Sequence, residues 1–172
     1  ALPSYSLQTL TYHEANPGHH LQTLLGLDPS LPILGTVFYS NAAGEGWGLY
    51  AEHLASEMGL YENDPVDDLG RLQAELHRAV RLVVDTGLHA MDWSREQAIE
   101  YSMATEGIHV SEATSEIERY AVWPGQALGY KLGMLKILEL RQRAQEQLGE
   151  KFDMRTFHDR ILEHGALPLN QM

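Results

Sequence analysis

Cysteine is missing from all 172 residues. Disulfides and thiolate metal sites are thereby excluded, while the compartment stays open between cytoplasmic and exported. Any metal would have to be held by His, Asp or Glu, and nine His are available. Long apolar runs are also missing: none approaches the roughly 18 residues a membrane span requires, so the chain reads as soluble. Basic residues are scarce, 12 Lys+Arg against 24 Asp+Glu, for a formal charge of −12. That sign argues against nucleic acid, whose phosphates need a cationic partner, and is compatible with peptides or metal ions. No internal repeat, low-complexity tract or flexible linker is visible. An initial Met and a charged-then-apolar leader are lacking as well, so a piece of a longer protein is expected. The length fits one domain, residues 1–172, with a sizeable core.

What is present is helical periodicity. Residues 4–27 read as a helix interrupted at Pro17-Gly18, with Gly26 and Pro29 beyond its end. Leu31 to Asn41, with Pro32, Gly35 and the β-prone Thr36-Val37-Phe38-Tyr39, reads as a loop with one short strand. A helix from Glu45 to Gly59 follows. Asp64-Pro65 opens the longest helix, with Leu69, Leu72, Leu76, Val80, Val83, Val84 and Leu88 as its apolar positions. Ser94-Arg95-Glu96-Gln97 resembles a capping box for a helix to about Glu106, and Ser111 is a candidate cap for the next, which stops before Pro124. Residues 124–148 and 153–165 complete a mainly α domain of about seven helices with little or no sheet.

The most informative stretch is His13-Glu14-Ala15-Asn16-Pro17-Gly18-His19-His20, followed by an isolated Glu45 in Ala43-Gly44-Glu45-Gly46-Trp47. Zinc hydrolases hold their metal with two imidazoles about one helical turn apart, and the Glu between them serves as general base. The usual spacing is His-Glu-x-x-His, which this chain lacks. In a straight helix His19 would lie about 120° off the face of His13, and His20 about 10.5 Å along the axis. Neither pair could close on one ion. Pro17, however, has no N–H to bond the carbonyl of His13, and Gly18 supplies a backbone free to bulge. Looping residues out at Asn16-Pro17-Gly18 brings His19 to the position a ligand needs. His13 and His19 are therefore the candidate ligands, His19 being preferred to His20, with Glu14 as base. Zinc still needs a third protein ligand, and Glu45, flanked by Gly44 and Gly46, is the best candidate. Glu52 and His53 are either a supporting layer behind the ligands or ordinary surface residues.

A second constellation lies on the long helix, where His77, Arg81, Asp85 and His89 recur every four residues as one polar stripe. Asp85 could orient a ligand imidazole, and Arg81 or His89 could hold a substrate carboxylate or oxyanion. For any single member a solvated helix face is the better reading, and the same holds for His109, Arg119, Tyr120 and Tyr130, each of which could equally be packed or exposed. A di-iron bundle would want two Glu-x-x-His pairs, and the chain has only Glu106-Gly107-Ile108-His109. The stronger rival is a non-catalytic helical module, or a degenerate remnant of a metallopeptidase that binds little or no metal.

Five segments, in order along nearly the whole chain, resemble a bacterial domain-of-unknown-function family (eight-eight-five) grouped with gluzincin-like metallopeptidases. They are Thr11–Gln22, Glu45–Glu52, Arg81–His89, Glu118-Arg119-Tyr120 with Pro124–Lys131, and Phe157-His158-Asp159 through Leu169. Members are typically several hundred residues long, and this chain looks like their C-terminal portion. The resemblance implies a mainly helical, deep-clefted scaffold that packs against an N-terminal portion, with one zinc held by His13, a later His of the motif, and Glu45. It implies hydrolysis of small peptides. Glu14 would take a proton from a metal-activated water and pass it to the leaving amine, and His89, Tyr130 or Arg119 would stabilise the oxyanion.

Overall fold

The computed structural model describes residues 4–29, 31 and 39–172. Among these residues eight α-helices follow one another with no strand: α1 (Leu7–Glu14), α2 (His19–Gly26), α3 (Asn41–Glu57), α4 (Pro65–Ala90), α5 (Arg95–Glu106), α6 (Val110–Val122), α7 (Gly129–Leu148) and α8 (Met154–Leu162). With α1 and α2 counted as halves of one broken helix the total is seven, and the mainly α class stands. The short strand expected near residues 36–39 lies outside the described residues, save for Tyr39, which is irregular.

Local chemistry accounts for most boundaries. Asp64 accepts from the backbone N–H groups of Val66 and Asp67 and precedes Pro65, which gives up no hydrogen bond in the first helical turn. Ser94 and Gln97 form the expected capping box on α5, and Gly107 closes that helix in the left-handed conformation at φ +70°. Asp153 caps α8 through the N–H of Thr156. Three boundaries differ from expectation. α3 begins at Asn41, four residues before Glu45, because Asn41–Gly44 forms its first turn after an extended Ser40. α6 is capped by the His109 imidazole, which accepts from the Ser111 N–H, not by Ser111 itself. The run from Pro124 is not one helix: Gly125 takes φ +79°, one 3-10 turn follows at Gln126–Leu128, and α7 starts at Gly129.

Two apolar clusters organise the packing. Val80 and Val84 of α4 meet Ala98 and Ile99 of α5 and Ala113, Ile117 and Tyr120 of α6. Trp47, Leu49 and Tyr50 of α3 meet Tyr130, Met134 and Ile137 of α7 and Leu162 of α8. Among the described residues α3 and α7 share the most extensive helix contact. Gly46 and Gly133 permit it: a Cβ on Gly46 would strike the Gly133 backbone, and one on Gly133 would strike the carbonyl of Ala42. The long helix buries only part of its expected face, towards its C-terminal half, where Leu88 also packs against the first cluster. Val80 and Val84 are buried, but Leu69, Leu72, Leu76 and Val83 are exposed, and the polar Arg71, Arg81 and Asp85 point inward.

Candidate metal centre

The break between α1 and α2 builds the site. α1 ends at Glu14, and the chain turns through Ala15–Gly18, where the Asn16–Pro17 peptide is cis. The N–H groups of His20 and Leu21 both reach back to the carbonyl of Ala15, at 3.1 and 3.4 Å. Gly18 passes so close to the carbonyls of Tyr12 and His13 that any Cβ would collide with both. The Pro17 carbonyl is pinned from α3 by the Trp47 indole N–H at 2.9 Å. The turn thus lays the first residue of α2 beside the last turn of α1, and both imidazoles face α3.

His13, His19 and Glu45 each offer one ligand atom, and the three atoms lie within 4.8 Å of one another. Glu45 Oε2 is 3.2 Å from His19 Nε2 and 3.6 Å from His13 Nε2. Ligand atoms about 2.0–2.1 Å from a tetrahedral zinc lie about 3.3 Å apart, close to the two separations from Glu45 Oε2. His20 is exposed and stands outside the cluster.

The outer nitrogen of each ring is also fixed. His13 Nδ1 donates to Glu52 Oε1 at 2.6 Å, since a carboxylate accepts, and Nε2 is the nitrogen turned towards Glu45. Thr9 Oγ1 in turn donates to Glu52 Oε2 at 3.1 Å. Gln22 donates its amide to the carbonyl of Ala43 at 3.3 Å, so its oxygen faces His19 Nδ1 at 3.1 Å. This pairing of each imidazole with an acceptor behind it is the usual support of metal-ligating histidines. Glu52 lies two turns after Glu45 on α3, so one helix supplies both a candidate ligand and the orienting carboxylate. Gly48, on the turn between them, leaves room for the His13 ring; a Cβ there would lie 2.7 Å from it.

The electrostatics favour positive charge at this point. Burial would lower the pKa of His13, but the hydrogen bonds its ring donates to Glu45 and Glu52 lift it to about 9. Burial would likewise raise that of Glu45, yet His13, His19 and the Tyr130 hydroxyl hold it well below the carboxylate range. The carboxylates that stabilise a proton on the imidazoles would stabilise a cation in its place, with release of that proton.

Residues 1–172 match the family described as "Bacterial protein of unknown function (DUF885)". The chain belongs to that family. No curated protein matches it. Among solved structures, a "putative lipoprotein" from Colwellia psychrerythraea is 61% identical with a TM-score of 0.94, over 98% of this chain and 29% of that one. A "putative lipoprotein of unknown function" from Shewanella oneidensis is 28% identical with a TM-score of 0.89, over 97% of this chain and 30% of that one. The DUF885 chain therefore spans under a third of the length of either relative.

In this DUF885 chain the cluster opens into a cavity of about 440 Å³ lined by His13, Glu14, His19, Glu45, Tyr130 and three arginines, Arg78, Arg81 and Arg119. Four of the sequence candidates thus join the ligand trio: Glu14, Arg81, Arg119 and Tyr130. His89 does not. It is exposed, its Nε2 sits 3.1 Å from the carbonyl of Tyr120, and it lies two helical turns, about 12 Å, beyond Arg81 on α4. Asp85 does not orient an imidazole, because both its oxygens accept the N–H of Gly125, at 3.2 and 3.1 Å. His53 pairs with Glu57 on the outer side of α3, at 3.5 Å, and takes no part. Sequence reasoning missed Gln22 and Arg78. Each had a signal, since Gln22 stands three residues after His19 and Arg78 three before Arg81, the helical spacing of side-chain neighbours.

No helix among the described residues is long and apolar enough to cross a membrane.

Proposed function

We propose that the chain carries the catalytic centre of a zinc-dependent peptidase. The observation that carries this reading is the convergence of His13 Nε2, His19 Nε2 and Glu45 Oε2 at zinc-ligand spacing, beside a cavity that Glu14 also lines. His13, His19 and Glu45 would hold the ion, and Glu52 and Gln22 would keep both imidazoles aimed. When bound, zinc supplies Lewis acidity and makes water acidic enough to lose a proton near neutral pH. With three protein ligands the site would be of the catalytic rather than the structural kind, leaving the ion accessible to water or substrate.

Glu14 takes the proton from water in the cavity on its carboxylate and returns it to the departing amine. It is exposed and adjacent to His13, so its carboxylate is reachable by water and substrate. Tyr130 and Arg119 are the donors on hand for negative charge developing on the substrate carbonyl oxygen. The lipoprotein designation of the two structural relatives supports an envelope location for such a peptidase.

The test is Glu14→Gln in the full-length protein. Hydrolysis of small peptides is expected to fall by about 10²–10⁴-fold, the usual contribution of a general base, with zinc content unchanged. Full activity in a zinc-loaded Glu14→Gln protein would overturn the assignment of the base. Absence of zinc from wild-type protein, even after zinc is added, would overturn the hydrolase reading itself and favour a non-catalytic module.

A further inference from the structure

Three arginines around one cavity are unexpected in a chain with twice as many acidic as basic residues. Two of them are accounted for. Arg81 donates through Nε to the Tyr120 hydroxyl at 3.0 Å and through Nη2 to Glu116 at 2.8 Å. Arg119 reaches Gln126 at 3.2 Å and Glu116 at 3.7 Å. Arg78 is different. Its Nη1 donates to the Ala74 carbonyl at 3.2 Å, and its buried Nε finds no acceptor among the described residues. The guanidinium lies 5.6 Å from the centroid of the Tyr130 ring, and the His13 ring stacks on that same ring at 6.2 Å. Arg78 therefore carries a positive charge with no carboxylate against it among the described residues, beside the candidate ligands.

Building on the zinc-peptidase reading, we propose that Arg78 is the substrate-carboxylate subsite of this cavity, and that the substrates are peptides presenting a free carboxylate close to the bond that is cut. A guanidinium is planar, stays charged and offers a fork of N–H donors that matches a carboxylate. The ring of Tyr130 holds it in place through a cation–π contact without consuming those donors. Arg81, four-fifths of a turn further along α4, adds to the positive potential, but its own charge is already met by Glu116. A cavity of about 440 Å³ falls in the range of sites that enclose small ligands. The carboxylate could be the C-terminal group of the peptide or an Asp or Glu side chain; both present the same chemistry to Arg78.

Calorimetry on the full-length protein, chelator-treated so that the reading does not depend on metal, decides the matter. Three probes are compared: N-acetyl-Ala-Ala, its C-terminal amide, and N-acetyl-Ala-Glu amide. At least one of the two carboxylates is expected to bind about tenfold or more tightly than the neutral amide, the scale of a hydrogen-bonded charge. Preference for the first identifies the C-terminal group, and preference for the third identifies a side chain. Arg78→Gln should erase the preference and Arg78→Lys should keep part of it, with circular dichroism confirming that both retain helix. If Arg78→Gln fails to fold, the comparison of probes on wild type and on Arg78→Lys still decides. Equal binding of all three probes, or a preference that survives in Arg78→Gln, overturns the proposal. Carboxylate preference in a protein that takes up no zinc would sink the hydrolase reading and spare the anion site, whereas zinc uptake without preference would do the reverse.

Discussion

Two of the histidine–carboxylate clusters among the described residues are built from the same residue types and differ in what closes them. In the first, His13 and His19 approach Glu45 while Glu52 and Gln22 hold the far side of each ring. In the second, His77 Nδ1 meets Glu106 at 2.6 Å and its Nε2 lies 3.6 Å from Glu116. There Arg81 and the Tyr120 hydroxyl, at 2.8 and 2.7 Å, already occupy Glu116. The second cluster carries its own cation and is complete. The first has its two Nε2 atoms and one carboxylate oxygen turned to the same point beside a cavity. Residue inventory alone does not separate a candidate metal site from a structural network. The direction of the free nitrogens and the presence of a resident guanidinium do.

The most direct way to break this comparison is to delete one imidazole from each cluster. His13→Ala should reduce zinc in the purified full-length protein from about one per chain to background, since two protein ligands rarely retain the ion. His77→Ala should leave zinc content at the wild-type level. Elemental analysis beside circular dichroism reads both. Equal loss in the two folded variants would mean that the clusters are not distinct in kind.

The contrast also marks how far the sequence could be read. Helix number and class were legible because caps and periodicity are local: Asp64-Pro65, Ser94 with Gln97, and Asp153 each satisfy the N–H groups of their own helix. The approach of His13 to His19 was legible because Pro17 and Gly18 state a break in the chain itself. Partnership across helices was not. Leu69, Leu72 and Leu76 look like a core face and are exposed, while Arg81 and Asp85 look like a solvated face and are buried. Arg81 and Asp85 can be buried only because Glu116, Tyr120 and the Gly125 N–H, all distant in sequence, meet them. For the same reason Glu52 could not be told from His53 until α1 was seen packed against one side of α3.

A smaller effect sharpens the first cluster from behind. Glu52 accepts from His13 Nδ1 and from Thr9 Oγ1. Glu52→Gln keeps the shape but exchanges an acceptor-only carboxylate for an amide, so the ring loses its charged partner. Zinc affinity is expected to drop about 10–100-fold, the usual cost of removing such support, with the ion still binding at one per chain. Competition against a chromophoric chelator measures it. Unchanged affinity would reduce Glu52 to a packing residue and leave orientation of His13 to Gly48 and Tyr130.

The smallest effect belongs to the second cluster and concerns pH. Burial would lower the pKa of His77, but the hydrogen bonds its ring donates to Glu106 and Glu116 outweigh it and raise the value above its ordinary 6.5; the neighbouring Arg81 works against the rise. A raised folded-state value means that the stability contributed by the protonated ring is fully present below pH 6.5 and is lost as pH climbs through the folded value. Glu116 behaves oppositely: burial would raise it, but His77, Arg81 and the Tyr120 hydroxyl hold it far below the ordinary range, so its contribution is present above about pH 4.5 and fails only in acid. His77→Gln removes the first contribution and spares the carboxylate's pairing with Arg81. The gap in thermal midpoint between wild type and His77→Gln should therefore be widest near pH 6 and shrink by pH 9, with both proteins chelator-treated so that metal binding adds nothing. A gap that stays constant across that range would show that His77 acts in the network as a neutral hydrogen-bonding ring, and that the arginines beside Glu116, Arg81 and Arg119, are the cations the second cluster holds.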